Sequence, residues 1–274
     1  MKKIISISRW PLLFGLLLLL AAACNKSVDL VTEDAKEGGL VVPVTANVPY
    51  KLANTPQVEV TVDIPSGPAI TAIQVYNSFY STTDEASSND FMMMEIPVTG
   101  SSITFTVTYN DLKNGLVING NPLPNDETLL GIGSAWTLSY HSVLADGRIV
   151  INNSTTTIGV ANIYAGNYHC VGYFQHPTAP RPIDLEKFLT AISAYQVTAE
   201  YVGDLEGYPI IITVDPTTNA CVVTKGEGNP LAADITMTPG EDSRYDPATG
   251  KFYLYYQYEG SNGTRAISEE YTPL

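Results

Sequence analysis

Aromatic side chains between Phe252 and Tyr258 form the run best suited to ligand chemistry in this chain. In an extended strand, successive side chains point to opposite faces, so Tyr253 and Tyr255 share one face and Phe252, Leu254, Tyr256 and Tyr258 share the other. A tyrosine ring offers an apolar surface to the CH face of a sugar and a phenol to its hydroxyl groups. Tyr253 and Tyr255 are therefore candidate glycan-binding residues, and packing in a core or an interface is the alternative for each.

Trp136 and His176 are two further candidates for glycan binding. Trp136 is the only tryptophan that follows residue 24 and lies in a strand-like run, so it predicts either a buried sandwich tryptophan or a sugar platform. His176 begins a proline-rich loop, where a plain loop histidine is the alternative. The three histidines lack the short spacing of a zinc site, and the acidic loop Ser81–Asp90 lacks EF-hand spacing. We therefore predict no metal and no cofactor.

Cys170 and Cys221 lie in strand-like runs of the second half of the chain. An oxidising compartment favours a disulfide between them, and two buried free thiols are the alternative.

Catalytic motifs are missing from the sequence. Gly131-Ile132-Gly133-Ser134-Ala135 lacks the final glycine of a nucleophile elbow, and no glycine-rich phosphate loop is present. We therefore predict that the protein is not an enzyme. A glycoside hydrolase needs only two suitably spaced carboxylates, so a chain with 28 acidic residues leaves that alternative open.

The first 24 residues carry a targeting signal. Lys2, Lys3 and Arg9 precede an apolar run from Leu12 to Ala23, and Cys24 follows directly. A positive start, an apolar centre and small residues before the cleavage point are typical of a secretory signal peptide, and the run is shorter than the roughly 20 residues of a membrane span. A cysteine at this position resembles a bacterial lipobox. We predict a signal peptide over residues 1–23 and lipidation of Cys24; an ordinary signal peptide with an incidental Cys24 is the alternative.

Residues 24–39 are polar and acidic and predict a flexible tether between the lipid and the folded part. The whole chain has a formal net charge of −14, and three of its 14 basic residues lie within residues 1–23. An acidic surface repels phosphate backbones, so nucleic-acid binding is not expected.

Short alternating runs and turn residues predict an all-β protein of two domains. Residues 40–161 contain about seven strand-like runs, including one before and one after Asp146-Gly147, and predict an immunoglobulin-like β-sandwich. Residues 162–274 predict an antiparallel β-meander or a small barrel-like domain, with two similar turns at Asp215–Asn219 and Asp246–Gly250. Asp184–Ile192 predicts one short helix in this second domain, because Leu185, Phe188, Leu189 and Ile192 recur at helical spacing.

Several segments resemble a known protein family. Asp184–Glu200 (DLEKFLTAISAYQVTAE), the hairpin Tyr245–Tyr258 (YDPATGKFYLYYQY) and the end Arg265–Leu274 resemble the C-terminal domain of Bacteroidetes surface lipoproteins of the starch-utilisation type (SusE/SusF-like). Trp136–Gly147 looks like part of the usual N-terminal companion domain.

The resemblance implies a role in polysaccharide uptake. Such proteins are lipid-anchored in the outer membrane, face the cell surface or the periplasm, and capture poly- or oligosaccharide beside an outer-membrane importer complex. We therefore expect non-catalytic glycan binding. The alternative is an adhesion or assembly module that binds a protein partner.

Overall fold

The computed structural model describes residues 38–274. The signal peptide predicted for residues 1–23, the lipidation site Cys24 and nearly all of the tether predicted for residues 24–39 lie outside this range. Within it, no helix has the length and hydrophobicity needed to cross a bilayer.

The first half of the described chain consists of short strands, one α-helix and one 3-10 helix. Their bounds are β1 Val42–Pro43, β2 Asn47–Lys51, β3 Val58–Asp63, β4 Ile70–Ser81, β5 Ala86–Ser87, β6 Phe91–Pro97, β7 Ser102–Val107, α1 Tyr109–Lys113, β8 Val117–Ile118, β9 Asn121–Pro122, the 3-10 helix Glu127–Leu129, β10 Ala135–Leu144 and β11 Ile149–Ala161.

These strands form the predicted β-sandwich. One sheet has the order β1-β3-β7, and the other has the order β2-β11-β10-β4-β5, with β6 also paired to β4. Strand β3 buries Val58, Val60 and Val62 and turns Glu59 and Asp63 outward, as its alternating sequence predicts. Trp136 of β10 packs into the same hydrophobic core. After Asp146-Gly147 the chain continues as the single long strand β11.

The second half consists of strands only. Their bounds are β12 Gly166–Gln175, β13 Arg181–Ser193, β14 Gln196–Val202, β15 Leu205–Val214, β16 Cys221–Lys225, β17 Ile235–Met237, β18 Arg244–Asp246, β19 Lys251–Gly260 and β20 Gly263–Pro273.

These strands make a nearly closed antiparallel barrel. The strand order is β16-β15-β14-β13-β12-β20-β19-β17, with β18 also paired to β19. The two ends of the sheet meet where Ala220 bridges Arg244 and the Cys221 N–H donates to the Ser243 carbonyl at 2.8 Å. Closure leaves few unpaired edges, and a second hydrophobic core fills the interior. The all-β fold class, with a sandwich followed by a barrel-like meander, is confirmed.

The helix predicted at Asp184–Ile192 is wrong, because the segment is part of strand β13. Its residues alternate, with Ile183, Lys187 and Leu189 buried and Asp184, Glu186 and Phe188 exposed. The helical spacing of the apolar residues was misleading, since Phe188 and Ile192 lie outside the barrel. The alternation of apolar and polar residues that indicates a strand is interrupted by Lys187, a charged residue that points inward.

The two predicted turns have the expected backbone. Asn219 and Gly250 have φ values of 60° and 71°, the left-handed region in which asparagine and glycine are favoured. In each turn an aspartate accepts hydrogen bonds that lower the pKa of its carboxyl. Asp215 accepts the backbone N–H groups of Thr217 and Thr218. Asp246 accepts the Thr249 hydroxyl and the Ala248 N–H.

Candidate functional site

Tyr253 and Tyr255 lie together on the outer face of the barrel. Strand β19 alternates as expected, so Phe252, Leu254, Tyr256 and Tyr258 are buried and the tyrosines between them are half-buried. Tyr255 pairs across the ladder with Ser268, and Ser268 pairs on its other side with Tyr173 of β12. Two strand spacings place the Tyr255 and Tyr173 backbones about 10 Å apart, with only a small serine between them.

Tyr173, Tyr253 and Tyr255 together form what we call the tyrosine face. Tyr173 is 42% exposed, which makes it the most open ring of the three. Its position could not be predicted from the sequence, because only the pairing of β20 with both β12 and β19 brings Tyr173 near Tyr255.

Polar groups surround the tyrosine face. Tyr253 pairs with Glu270, which pairs in turn with Val171, and the Lys251 ammonium lies 2.6 Å from the Glu270 carboxylate. The Arg244 guanidinium lies 4.6 Å from the centre of the Tyr253 ring, close enough for a cation–π contact. Rings flanked by charged and hydroxyl groups can stack on a sugar and hydrogen-bond its hydroxyls.

Trp136 is not a sugar platform. Its side chain is fully buried in the sandwich core, where the rings of Phe79 and Tyr50 lie 4.7 Å and 5.5 Å from it between centroids. The buried alternative is therefore the correct one, because the inner face of β10 is covered by the opposite sheet. A ligand cannot reach this ring without unfolding the domain.

His176 organises the proline-rich loop. Its Nδ1 accepts the backbone N–H groups of Thr178 and Ala179 at 3.2 Å and 3.1 Å. Its ring lies edge-on to Phe174, 5.7 Å away. The residue is only partly exposed and lies outside the tyrosine face, so its contacts give it a role in loop conformation.

The possible disulfide between Cys170 and Cys221 is not formed, because both are free and buried. Three strands separate β12 from β16 in the sheet order, so the two thiols lie on different walls of the barrel. The Cys170 thiol contacts the Glu269 carboxylate at 3.5 Å, and the Cys221 thiol contacts the Asn219 carbonyl at 3.8 Å. Burial raises the pKa of both thiols, that of Cys221 to about 12.

A buried charged cluster in the barrel was missed by sequence reasoning. The Lys187 ammonium lies 2.5 Å from the Glu269 carboxylate, and both side chains are fully buried. Tyr256 and Tyr271 donate their phenols to the same carboxylate at 2.9 Å and 3.1 Å. Burial, together with the Glu269 charge, raises the pKa of both phenols well above its usual value. Lys187 and Glu269 are 82 positions apart in the sequence, so their pairing becomes visible only in the folded structure.

A polar groove on the sandwich, with a volume of about 750 Å³, is another candidate site. Tyr50 and Tyr109 form part of its wall, and Glu127 accepts hydrogen bonds from the Tyr50 phenol and the Ala53 N–H. Burial and the nearby acids raise the pKa of Tyr109 to about 12. Both residues are less than a tenth exposed, so they offer a sugar little surface, and the tyrosine face is the better candidate site.

Within residues 38–274, no three histidine, cysteine, aspartate or glutamate side chains are grouped so that they could hold a metal ion.

Part of the chain is similar to a known domain family. No curated protein matches the chain. Two crystal structures of Bacteroides ovatus proteins of unknown function are similar to it, each at 10% identity. The first, at 2.40 Å resolution, has a TM-score of 0.42 over 87% of this chain and 95% of its own. The second, at 2.61 Å, has a TM-score of 0.36 over 84% and 88%. Residues 153–272, which include strands β12 to β19 and nearly all of β20, match a family model described as "-like, C-terminal".

Proposed function

We propose that this protein is a lipid-anchored surface protein that binds poly- or oligosaccharide without catalysis, in support of glycan uptake. The observation that carries the proposal is the tyrosine face, where Tyr173 and Tyr255 flank Ser268 on three adjacent strands. Partly exposed aromatic rings with neighbouring hydroxyl and charged groups fit the alternating apolar and polar surfaces of a sugar chain.

The rigid setting of the tyrosine face also supports binding. The rings project from a barrel wall whose opposite side is the packed core, so they are held in place before a ligand arrives. A preorganised surface loses less conformational entropy on binding than a mobile loop does.

The proposed location rests on Cys24 and the signal peptide before it. Cleavage before Cys24 and attachment of two or more acyl chains would hold the protein stably on the outer membrane. An outer-membrane importer complex is the partner to which such a protein would pass its ligand.

Affinity electrophoresis and calorimetric titration against a panel of plant and host polysaccharides test the proposal. We expect saturable binding of at least one polysaccharide and no release of shorter products during incubation. Absence of binding across the panel would contradict glycan capture, and release of reducing ends by the purified protein would favour a glycoside hydrolase.

A protein-binding role is the second candidate, and an exposed apolar strip on the sandwich favours it. Ile149 and Ile151 of β11 are 56% and 68% exposed, and Val42 and Val44 are also exposed. Exposed apolar groups of this kind occur at protein interfaces. Capture of one stoichiometric protein that is not displaced by sugar, and that is lost in Ile151→Asp, would favour this function.

A further inference from the structure

The barrel wall opens between strands β13 and β14. Strand β13 pairs with β12 from Arg181 to Leu189 but pairs with β14 only near their connecting turn, at Thr190, Ala191 and Ser193. At the other end of the opening, the Arg181 guanidinium makes two contacts of 2.5 Å with the Asp204 carboxylate. The strands are thus joined at both ends and separated in the middle.

A cavity of about 740 Å³ lies at this opening, and we call it the seam groove. Its lining includes Glu186, Phe188, Thr198, Glu200, Tyr201 and Glu227. The groove shares strand β12 with the tyrosine face, since Asn167 of β12 also lines the groove and Tyr173 is on the same strand. Six residues at about 3.3 Å each place the two roughly 20 Å apart along β12.

The seam groove has an aromatic surface that is already in place. Phe188 is 59% exposed on the outer side of β13. Tyr201 is half-buried, and the Lys187 ammonium lies inside the barrel at 5.8 Å from its ring centre. Lys187 is itself held by Glu269, so the wall behind the Tyr201 ring is fixed.

The charge of the seam groove is negative. Glu186, Glu200 and Glu227 line it, and within residues 38–274 none of these three carboxylates makes an ion pair. Among the described residues that line the groove, Lys187 is the only cation, and the buried Glu269 neutralises its charge. A bound uronate, sulfate or phosphate group would be repelled here, whereas an ammonium group would meet carboxylates and an exposed aromatic ring.

We infer that the seam groove is a subsite for a sugar that carries a free ammonium group, the chemistry of a glucosamine unit. This inference rests on the proposed glycan-binding function and names a substrate class for it. The sugar ring stacks on Phe188, and its ammonium group is held by the carboxylates of Glu186, Glu200 and Glu227.

Calorimetric titration with glucosamine oligomers, and with N-acetylglucosamine oligomers of the same length, tests the inference. The purified protein should bind the charged oligomer at least about tenfold more tightly, and that preference should shrink as salt is raised. Equal affinity for the two oligomers, or binding of only the acetylated one, would overturn the inference.

Variants of the groove make the test specific. Glu200→Gln and Glu186→Gln should each weaken glucosamine-oligomer binding about threefold, and Phe188→Ala should weaken it more. Glu206→Gln is the matched control, since Glu206 is exposed on β15 and does not line the groove. Unchanged binding in all three groove variants would overturn the assignment.

Failure of this inference is distinguishable from failure of the proposed function. If neutral polysaccharides bind and are lost in Tyr173→Ala or Tyr255→Ala while glucosamine oligomers do not bind, the seam-groove inference fails and the proposed function stands. If no glycan binds at all, both fail.

Discussion

Lys187 and Glu269 form a fully buried ion pair, so the stability of the barrel depends on the presence of both residues. Two charges removed from water are costly, and removing one partner leaves the other unpaired in the core. Lys187→Met should therefore lower the free energy of unfolding by about 3–5 kcal/mol. Lys187→Met with Glu269→Leu should recover most of that loss, because no buried charge remains. Urea denaturation of the two variants measures the difference.

The exposed pair Lys251–Glu270 supplies the control for that experiment, because its side chains are 29% and 37% exposed. Lys251→Met should cost no more than about 1 kcal/mol. A Lys187→Met loss no larger than the Lys251→Met loss would show that the buried pair does not have the assigned role.

Cys170 and Cys221 should behave as two protected thiols. Burial keeps them protonated and away from reagents, with the pKa of Cys221 raised to about 12. In a chain carrying Cys24→Ser, a thiol reagent at neutral pH should react slowly with the native protein and with both cysteines after denaturation. A mass lower by two hydrogens than that of the reduced chain would instead show a disulfide.

The Arg181–Asp204 pair links β13 to the β14–β15 turn, and its contribution should depend on pH. The Arg181 guanidinium holds the pKa of the Asp204 carboxyl below its usual value. The stabilisation is therefore fully present above the ordinary aspartate pKa of about 3.9 and is lost as the pH falls through the lowered value. Asp204→Asn should be less stable than the natural chain at neutral pH, and the two should converge in strong acid. Denaturation curves at several pH values check this, and a gap that stays constant in acid would contradict it.

Most strands were predictable from the sequence, because their buried and exposed residues alternate strictly. Val58–Asp63 and Lys251–Gly260 are strands of this kind. Strand β13 was not recognised, since its inward Lys187 breaks the apolar alternation and its partner Glu269 is distant in sequence. The same limitation applies to the candidate site: Tyr253 and Tyr255 stood out as neighbours in the chain, whereas Tyr173 and the seam groove arise from strand pairing alone.

At the scale of the whole molecule, the two β units carry out the proposed role only if Cys24 holds them at a membrane. Cys24→Ser removes the thiol that would be acylated, so the variant should move from the membrane fraction to the soluble fraction of expressing cells. Immunoblotting of the two fractions checks this, and full membrane retention of the variant would refute lipidation. Cys221→Ser is the matched control and should stay in the membrane fraction, because the Cys221 thiol is buried in the barrel.

The central claim is that the tyrosine face binds glycan. Its most direct test is calorimetric titration of tyrosine-face variants with a polysaccharide that the natural protein binds. Tyr173→Ala and Tyr255→Ala should each weaken binding by about fivefold, since a stacked ring contributes on the order of 1 kcal/mol. Tyr80→Ala is the control, because Tyr80 is 47% exposed on the sandwich and outside the face. Loss of affinity in the first two variants, with the control unchanged, is the predicted result. Natural affinity in both Tyr173→Ala and Tyr255→Ala would contradict the account.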